Sequence, residues 1–145
     1  MTILKPSENI ASIISLIENA KKYVVIVSPF NELKGWDKLI NAINKASREN
    51  IDVSYYVREG EGSKGIEELN VKIYEVPLLH AKMFFTEDKA LISSGNLTNR
   101  PDLNWVYALD TPEEYKELVN FFQLYIKPLA KPFNPPSRKA SADAK

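Results

Sequence analysis

Residues Tyr23 to Val27 form an uninterrupted apolar run, mostly β-branched, that stops at Ser28-Pro29. A strand that is apolar at every position has no face to give to water, so it belongs inside a sheet covered on both sides. The neighbouring pattern supplies the cover. After Pro6, Ser7 is placed to cap a helix, and Ile10, Ile13, Ile14 and Ile17 recur at helical spacing to about Lys21. Trp36, Leu39, Ile40 and Ile43 mark a second helix ending near Asn50. Between the helical segments, Ile51, Val53, Tyr55 and Val57 alternate with polar or exposed positions, the period of a strand.

Further along, Arg58 to Gly65 (REGEGSKG) contains three glycines and reads as a mobile loop, with a short helix from Ile66 to Leu69 at most. Val71 to Val76 is a third strand, broken by Pro77. Leu78 to Phe85 and Ala90 to Ser93 form a hairpin around Thr86-Glu87-Asp88-Lys89, and Trp105 to Leu109 is a further strand. The final helix has the strongest start signal in the chain. Thr111-Pro112-Glu113-Glu114 combines an N-cap threonine, a proline in the first turn and a capping-box glutamate. Tyr115, Leu118, Val119 and Phe122 form its buried stripe, and Pro128 ends it. These elements predict an α/β fold, a mixed β-sheet flanked by helices on both faces, as one domain over residues 1–130. Lys131 to Lys145, rich in Pro, Ser, Ala and Lys, reads as a disordered tail.

Composition narrows the chemistry. A chain of 145 residues is sized for one core. It has no cysteine, so disulfides, thiolate catalysis and Cys-ligated zinc are excluded. No apolar run approaches the roughly 20 residues of a membrane span, and no signal-peptide pattern opens the sequence, so the cytoplasm is the expected compartment. Lys+Arg and Asp+Glu are both 19, which leaves no global field for a polyanion. A nucleic-acid ligand would need a local basic patch, for which Arg58, Lys64 and Lys82 are the candidates. One histidine and no cysteine make a poor transition-metal site, and no cofactor is expected.

That single histidine, His80, lies in Leu78-Leu79-His80-Ala81-Lys82-Met83-Phe84-Phe85. On a strand, His80 and Lys82 share a face with Phe84, while Ala81, Met83 and Phe85 take the other. The hairpin then brings up Ser93-Ser94-Gly95-Asn96-Leu97-Thr98. An imidazole, an ammonium, a hydroxyl and a carboxamide gather at one end of two neighbouring strands. Such a group suits attack on a phosphodiester. Neutral imidazole is a competent nucleophile, and the phosphate oxygens need fixed cationic or N–H donors, which Lys82 and Asn96 supply. Ser94 offers a further donor, and Gly95, lacking a Cβ, lets the backbone approach a phosphate. Singly, each piece is ordinary: a surface lysine, a structural histidine, a Ser-Gly-Asn turn.

Taken together, the order His80-Ala81-Lys82, Glu87-Asp88, Ser93-Ser94-Gly95-Asn96 resembles the His-x-Lys, Asp, Gly-Ser-x-Asn signature of the phospholipase D superfamily, known as the HKD motif. The strand closing on Ser28-Pro29-Phe30 and the downstream Asn104-Trp105-Val106 are similar too. The resemblance implies a phospholipase D-like fold and a metal-independent phosphodiesterase. His80, Lys82 and Asn96 would be catalytic, with Lys82, Ser94, Gly95 and Asn96 on the phosphate and Glu87 or Asp88 as the motif acid. Because that chemistry uses two histidines and this chain has one, the resemblance implies a homodimer with paired His80 rings, one of which becomes phosphorylated. Small size and a single motif liken the chain to the nucleases of the superfamily, with nucleic acid as substrate or ligand.

Some features depart from that pattern. Relatives often carry a glutamate that orients the histidine where this chain has Val106, leaving Glu75 or Asp102 to replace it. The alternatives are therefore an inactive nucleic-acid-binding or scaffold module and, less favoured, a phospholipid hydrolase. A flexible Arg58–Gly65 rim over the phosphate is a further expectation.

Overall fold

The computed structural model describes residues 1–135. Its strands are β1 (Thr2–Ile3), β2 (Tyr23–Val27), β3 (Asp52–Arg58), β4 (Lys72–Val76), β5 (Met83–Thr86), β6 (Ala90–Ser93), β7 (Val106–Ala108) and β8 (Lys131–Phe133). The α-helices are α1 (Asn9–Glu18), α2 (Asp37–Arg48) and α3 (Pro112–Phe121). The strands form one mixed sheet in the order β1-β7-β6-β5-β2-β3-β4-β8. β2, β3 and β4 are mutually parallel, whereas β5 runs antiparallel to β2.

The uninterrupted run of β2 is explained by its surroundings. Val24 and Ile26 enter the core beneath α1 and α2, which also holds Val53, Tyr55, Val57, Ile73 and Phe84. Val25 and Val27 enter a second core on the other face, with Tyr56, Phe85, Phe122 and Ile126. Helices therefore cover both faces, as the sequence requires. In α1 the buried stripe is Ile13, Ile14, Leu16 and Ile17, while Ile10 at the first turn stays 51% exposed. Asn50 adopts φ 65° just beyond α2, a left-handed residue that lets the chain turn into β3.

α3 starts as its sequence dictates. Glu114 N–H donates to Thr111 Oγ1 at 3.2 Å, and the Glu114 carboxylate accepts from Thr111 N–H at 3.3 Å. The helix continues into a π-helical turn over Phe122–Ile126, which buries Phe122 and Ile126. Phe122 packs edge-on to Tyr56 (4.9 Å between centroids) and Phe85 (5.2 Å).

Several expectations change. Ser7 does not cap α1. It lies inside a 3₁₀ turn, Pro6–Glu8, in which the Glu8 carboxylate accepts from Lys5 N–H at 3.2 Å. Ile66 to Leu69 is a single turn rather than a helix, with both residues buried in the first core. Tyr56, read as facing outward, is buried because α3 covers the second face. Lys131 to Phe133 was expected within a disordered tail but forms β8 along β4, with Phe133 packed against the first core. Pro132 is tolerated because this is an edge strand, where a missing N–H costs no ladder bond. The remainder of the expected tail, 136–145, lies outside the described residues.

The loop after β3 is clamped rather than free. Glu75 Oε2 accepts from Gly60 N–H at 2.9 Å and Gly62 N–H at 3.1 Å. Gly65 (φ 72°) stands where a Cβ would lie 1.9 Å from the Asn31 carbonyl oxygen. Among the described residues, no helix is long and apolar enough to cross a membrane.

Phe122→Ala should remove the keystone of the second core and lower stability by about 3–5 kcal/mol in urea denaturation. A loss under ~1 kcal/mol would show that α3 is not held by this contact.

Candidate active site

β2, β3 and β4 all end at one edge of the sheet, the edge where open α/β sheets present ligand sites. β5 pairs antiparallel to β2 with Met83 opposite Val27, so the residues just before β5 arrive at that same edge. β6 ends and β7 begins there as well, with Ser93 opposite Val106. The strand expected from Leu78 starts only at Met83, and His80 and Lys82 occupy an irregular approach to it. The alternation nonetheless persists: Ala81, Met83 and Phe85 pack into the second core and Phe84 into the first.

His80 is exposed, and its Nε2 lies 3.4 Å from Lys82 Nζ. The contact joins an imidazole nitrogen, able to donate or to accept, to an amine that donates. Burial holds the Lys82 ammonium below its usual pKa range. Lys82 is fixed by its backbone, whose carbonyl accepts from Ser93 N–H at 3.1 Å.

Asn96 is oriented from behind. Its Oδ1 accepts from Phe30 N–H at 3.1 Å, which fixes the amide so that Nδ2 remains as a donor. The neighbouring residue is tied to the same strand end, since Leu97 N–H donates to the fully buried Ser28 Oγ at 2.9 Å. Arg58, the last residue of β3, donates from Nη1 to the Leu79 carbonyl at 3.3 Å, and its guanidinium stands 6.0 Å from the Phe30 ring centroid. Of the three basic candidates, Arg58 and Lys82 thus reach the His80 segment, while Lys64 pairs with Glu61 at 3.5 Å.

Other candidate residues have structural partners of their own. Ser94 Oγ donates to Asn104 Oδ1 at 3.2 Å and accepts from Trp105 N–H at 3.0 Å. A Cβ at Gly95 would lie 2.3 Å from the Asn104 amide, so that side chain packs against the bare backbone. Val106 is 1% exposed in the first core. Neither suggested substitute acid reaches His80. Glu75 clamps the glycine loop, and Asp102 pairs with Arg100 at 3.6 Å. Among the described residues, no carboxylate hydrogen-bonds the His80 ring.

Both candidates for the motif acid, Glu87 and Asp88, lie in the turn between β5 and β6, far from this edge. The Glu87 carboxylate accepts from the backbone N–H groups of Lys21 (3.1 Å), Lys22 (3.0 Å) and Tyr23 (3.3 Å), at the start of β2. Burial opposes its ionisation, but those donors prevail and hold it below the usual glutamate range. Asp88 offers only its backbone N–H, to Thr86 Oγ1 at 3.1 Å.

Sequence reasoning missed Ser28 and Phe30 as anchors of the Asn96 loop. The available signal was a polar residue placed directly at the end of a doubly buried strand. Large apolar side chains also stand exposed at this edge: Leu78 (80%), Leu103 (84%), Trp105 (51%) and Phe30 (37%). Leu78 is held at φ 56°, a conformation that costs a non-glycine residue about 1–2 kcal/mol. Among the described residues, no three His, Cys, Asp or Glu side chains gather as a metal site would need.

No family model matches the chain, nor does any curated protein sequence. Solved structures do. Nuc from Salmonella typhimurium, a phospholipase D family member, superposes with a TM-score of 0.71 at 14% identity, over 92% of this chain and 98% of that one. NucT from Helicobacter pylori gives 0.69 at 16% identity, over 91% and 98%. Phosphatidylserine synthase from Haemophilus influenzae gives 0.73 at 17% identity, covering 98% of this chain but 41% of that one. The chain thus shares the fold of these structures and is phospholipase D-like in architecture.

Glu87→Gln should weaken the staple onto β2 and cost about 1 kcal/mol at neutral pH, after allowance for solvent screening. The folded-state pKa lies below the reference value of 4.5, so the deficit is full above pH 4.5 and shrinks as pH falls through the folded value. Denaturant midpoints of both proteins across that range provide the check. A deficit that stays constant into acid would contradict the assignment.

Proposed function

We propose that the chain is a metal-independent phosphodiesterase acting on nucleic acid, working as a homodimer in which two copies of His80 share one phosphate site. The observation that carries this reading is the His80–Lys82 pair at 3.4 Å, at the sheet edge where Asn96 is held with its Nδ2 free to donate. An imidazole beside an ammonium and an oriented amide donor matches the needs of phosphoryl transfer: a nucleophile, and charge to meet the phosphate oxygens.

In the first step His80 Nε2 forms a bond to phosphorus while the bond to the leaving oxygen breaks. That oxygen takes its proton from the imidazolium of the partner subunit's His80, which becomes neutral. In the second step this neutral ring removes a proton from water, whose oxygen attacks phosphorus, and the P–N bond to His80 breaks. Lys82 and Asn96 hold the phosphate oxygens throughout.

One histidine per chain makes a second copy necessary for this cycle. The exposed Leu78, Leu103 and Trp105 support a contact at the same edge, where an isologous dimer would bury them beside the paired sites. Nuc and NucT match this chain over 98% of their lengths, and phosphatidylserine synthase over 41%, which favours the small-enzyme organisation over the lipid enzyme.

A second reading, a phosphate-binding module without turnover, is favoured by one observation: with Val106 in the core, no acid among the described residues hydrogen-bonds the His80 ring. The two separate experimentally. Native protein should cleave DNA or RNA in the presence of a chelator, run as a dimer in sedimentation, and yield an acid-labile phosphohistidine on quenching. His80→Ala should lower cleavage by about 10³-fold or more. Oligonucleotide binding without cleavage, indifferent to His80→Ala, would establish the binding module instead.

A further inference from the structure

We infer that Phe30 and Arg58 form a nucleobase-stacking subsite beside the phosphate site, selecting single-stranded nucleic acid. This inference rests on the nucleic-acid reading of the preceding subsection and specifies which form of it is bound.

Phe30 follows directly on the central strand and is fixed by its backbone. Its N–H donates to Asn96 Oδ1 at 3.1 Å, and its carbonyl accepts from Ser28 Oγ at 3.4 Å. Phe30 is 37% exposed, and its N–H holds the Asn96 amide of the proposed phosphate site. Its neighbour is also anchored: Arg58 spans from the Leu79 carbonyl (3.3 Å) to the Phe30 ring (6.0 Å). Among the described residues Arg58 forms no ion pair, so its charge remains for a ligand.

An exposed aromatic ring and a guanidinium on rigid supports, next to a phosphate site, match the two halves of a nucleotide. The ring offers a face for a base, and the cation tracks the backbone. Bases of a duplex are already stacked inside the helix, so the strand that can use Phe30 is single. An acyl chain would gain burial against the ring but has no planar face to stack, and it would not discriminate one nucleotide position from another.

The test uses short single-stranded oligonucleotides, intact or carrying one abasic position moved along the strand. Binding is read by fluorescence anisotropy in a His80→Ala background that prevents cleavage. With Phe30 present, one abasic position should weaken binding by about 5- to 150-fold, the equivalent of 1–3 kcal/mol of stacking per base. In Phe30→Leu that ratio should fall to near one, while Phe30→Trp keeps it; Phe30→Met replaces Phe30→Leu if the latter fails to fold. A ratio unmoved by Phe30→Leu, or no sensitivity to any abasic position when Phe30 is present, overturns the stacking subsite and leaves the nucleic-acid reading standing. Failure of native protein to bind any oligonucleotide removes both.

Discussion

β5 lies antiparallel to β2, with Val24 opposite Thr86 and Val27 opposite Met83. Everything chemical in the molecule follows from that register. β2 ends at the edge shared by β3 and β4, and the reversed direction of β5 makes its entry, rather than its exit, coincide with that edge. His80 and Lys82 precede β5, so they meet the Ser28–Phe30 turn that follows β2. A shift of one residue would exchange the two faces of β5, sending Phe84 out of one core and Met83 and Phe85 out of the other. The cores on the two faces therefore specify the position of the imidazole.

Two hydrogen bonds complete the arrangement by locking the Ser93–Thr98 loop to the end of β2: Leu97 N–H to Ser28 Oγ, and Phe30 N–H to Asn96 Oδ1. Each uses a group that would otherwise be an orphan at a strand terminus. The second does more than anchor, because occupying the carbonyl end of the amide decides which end faces outward. Zero net charge does not conflict with the proposed anion site. Lys82 and Arg58 are placed by backbone contacts, so local positive charge is set by geometry and not by the composition of the chain.

What could be read in the sequence was local. The doubly buried strand, the capping box at Thr111 and the alternation through Phe85 depend on near neighbours, and each is present. What could not be read was non-local. β8 pairs through backbone groups with β4, more than fifty residues away, and edge pairing leaves little side-chain pattern. The glycine loop looked mobile because its clamp, Glu75, sits on another strand. The partner of Ser94 and Gly95, Asn104, was hidden for the same reason, since it lies on the far side of a turn. His80, Lys82 and Asn96 do come to one edge, as the order of motif pieces suggested. The identity of the group behind each of them needed the folded chain.

Glu87 has a consequence for how such sequences are interpreted. Its carboxylate staples the tip of a hairpin to the entrance of the central strand, at the opposite end of the sheet from His80. An acid with that duty serves the fold of this chain, whether or not the chain turns over a substrate. Its presence in a signature is testimony about architecture, and a lineage that abandoned chemistry would have every mechanical reason to keep it.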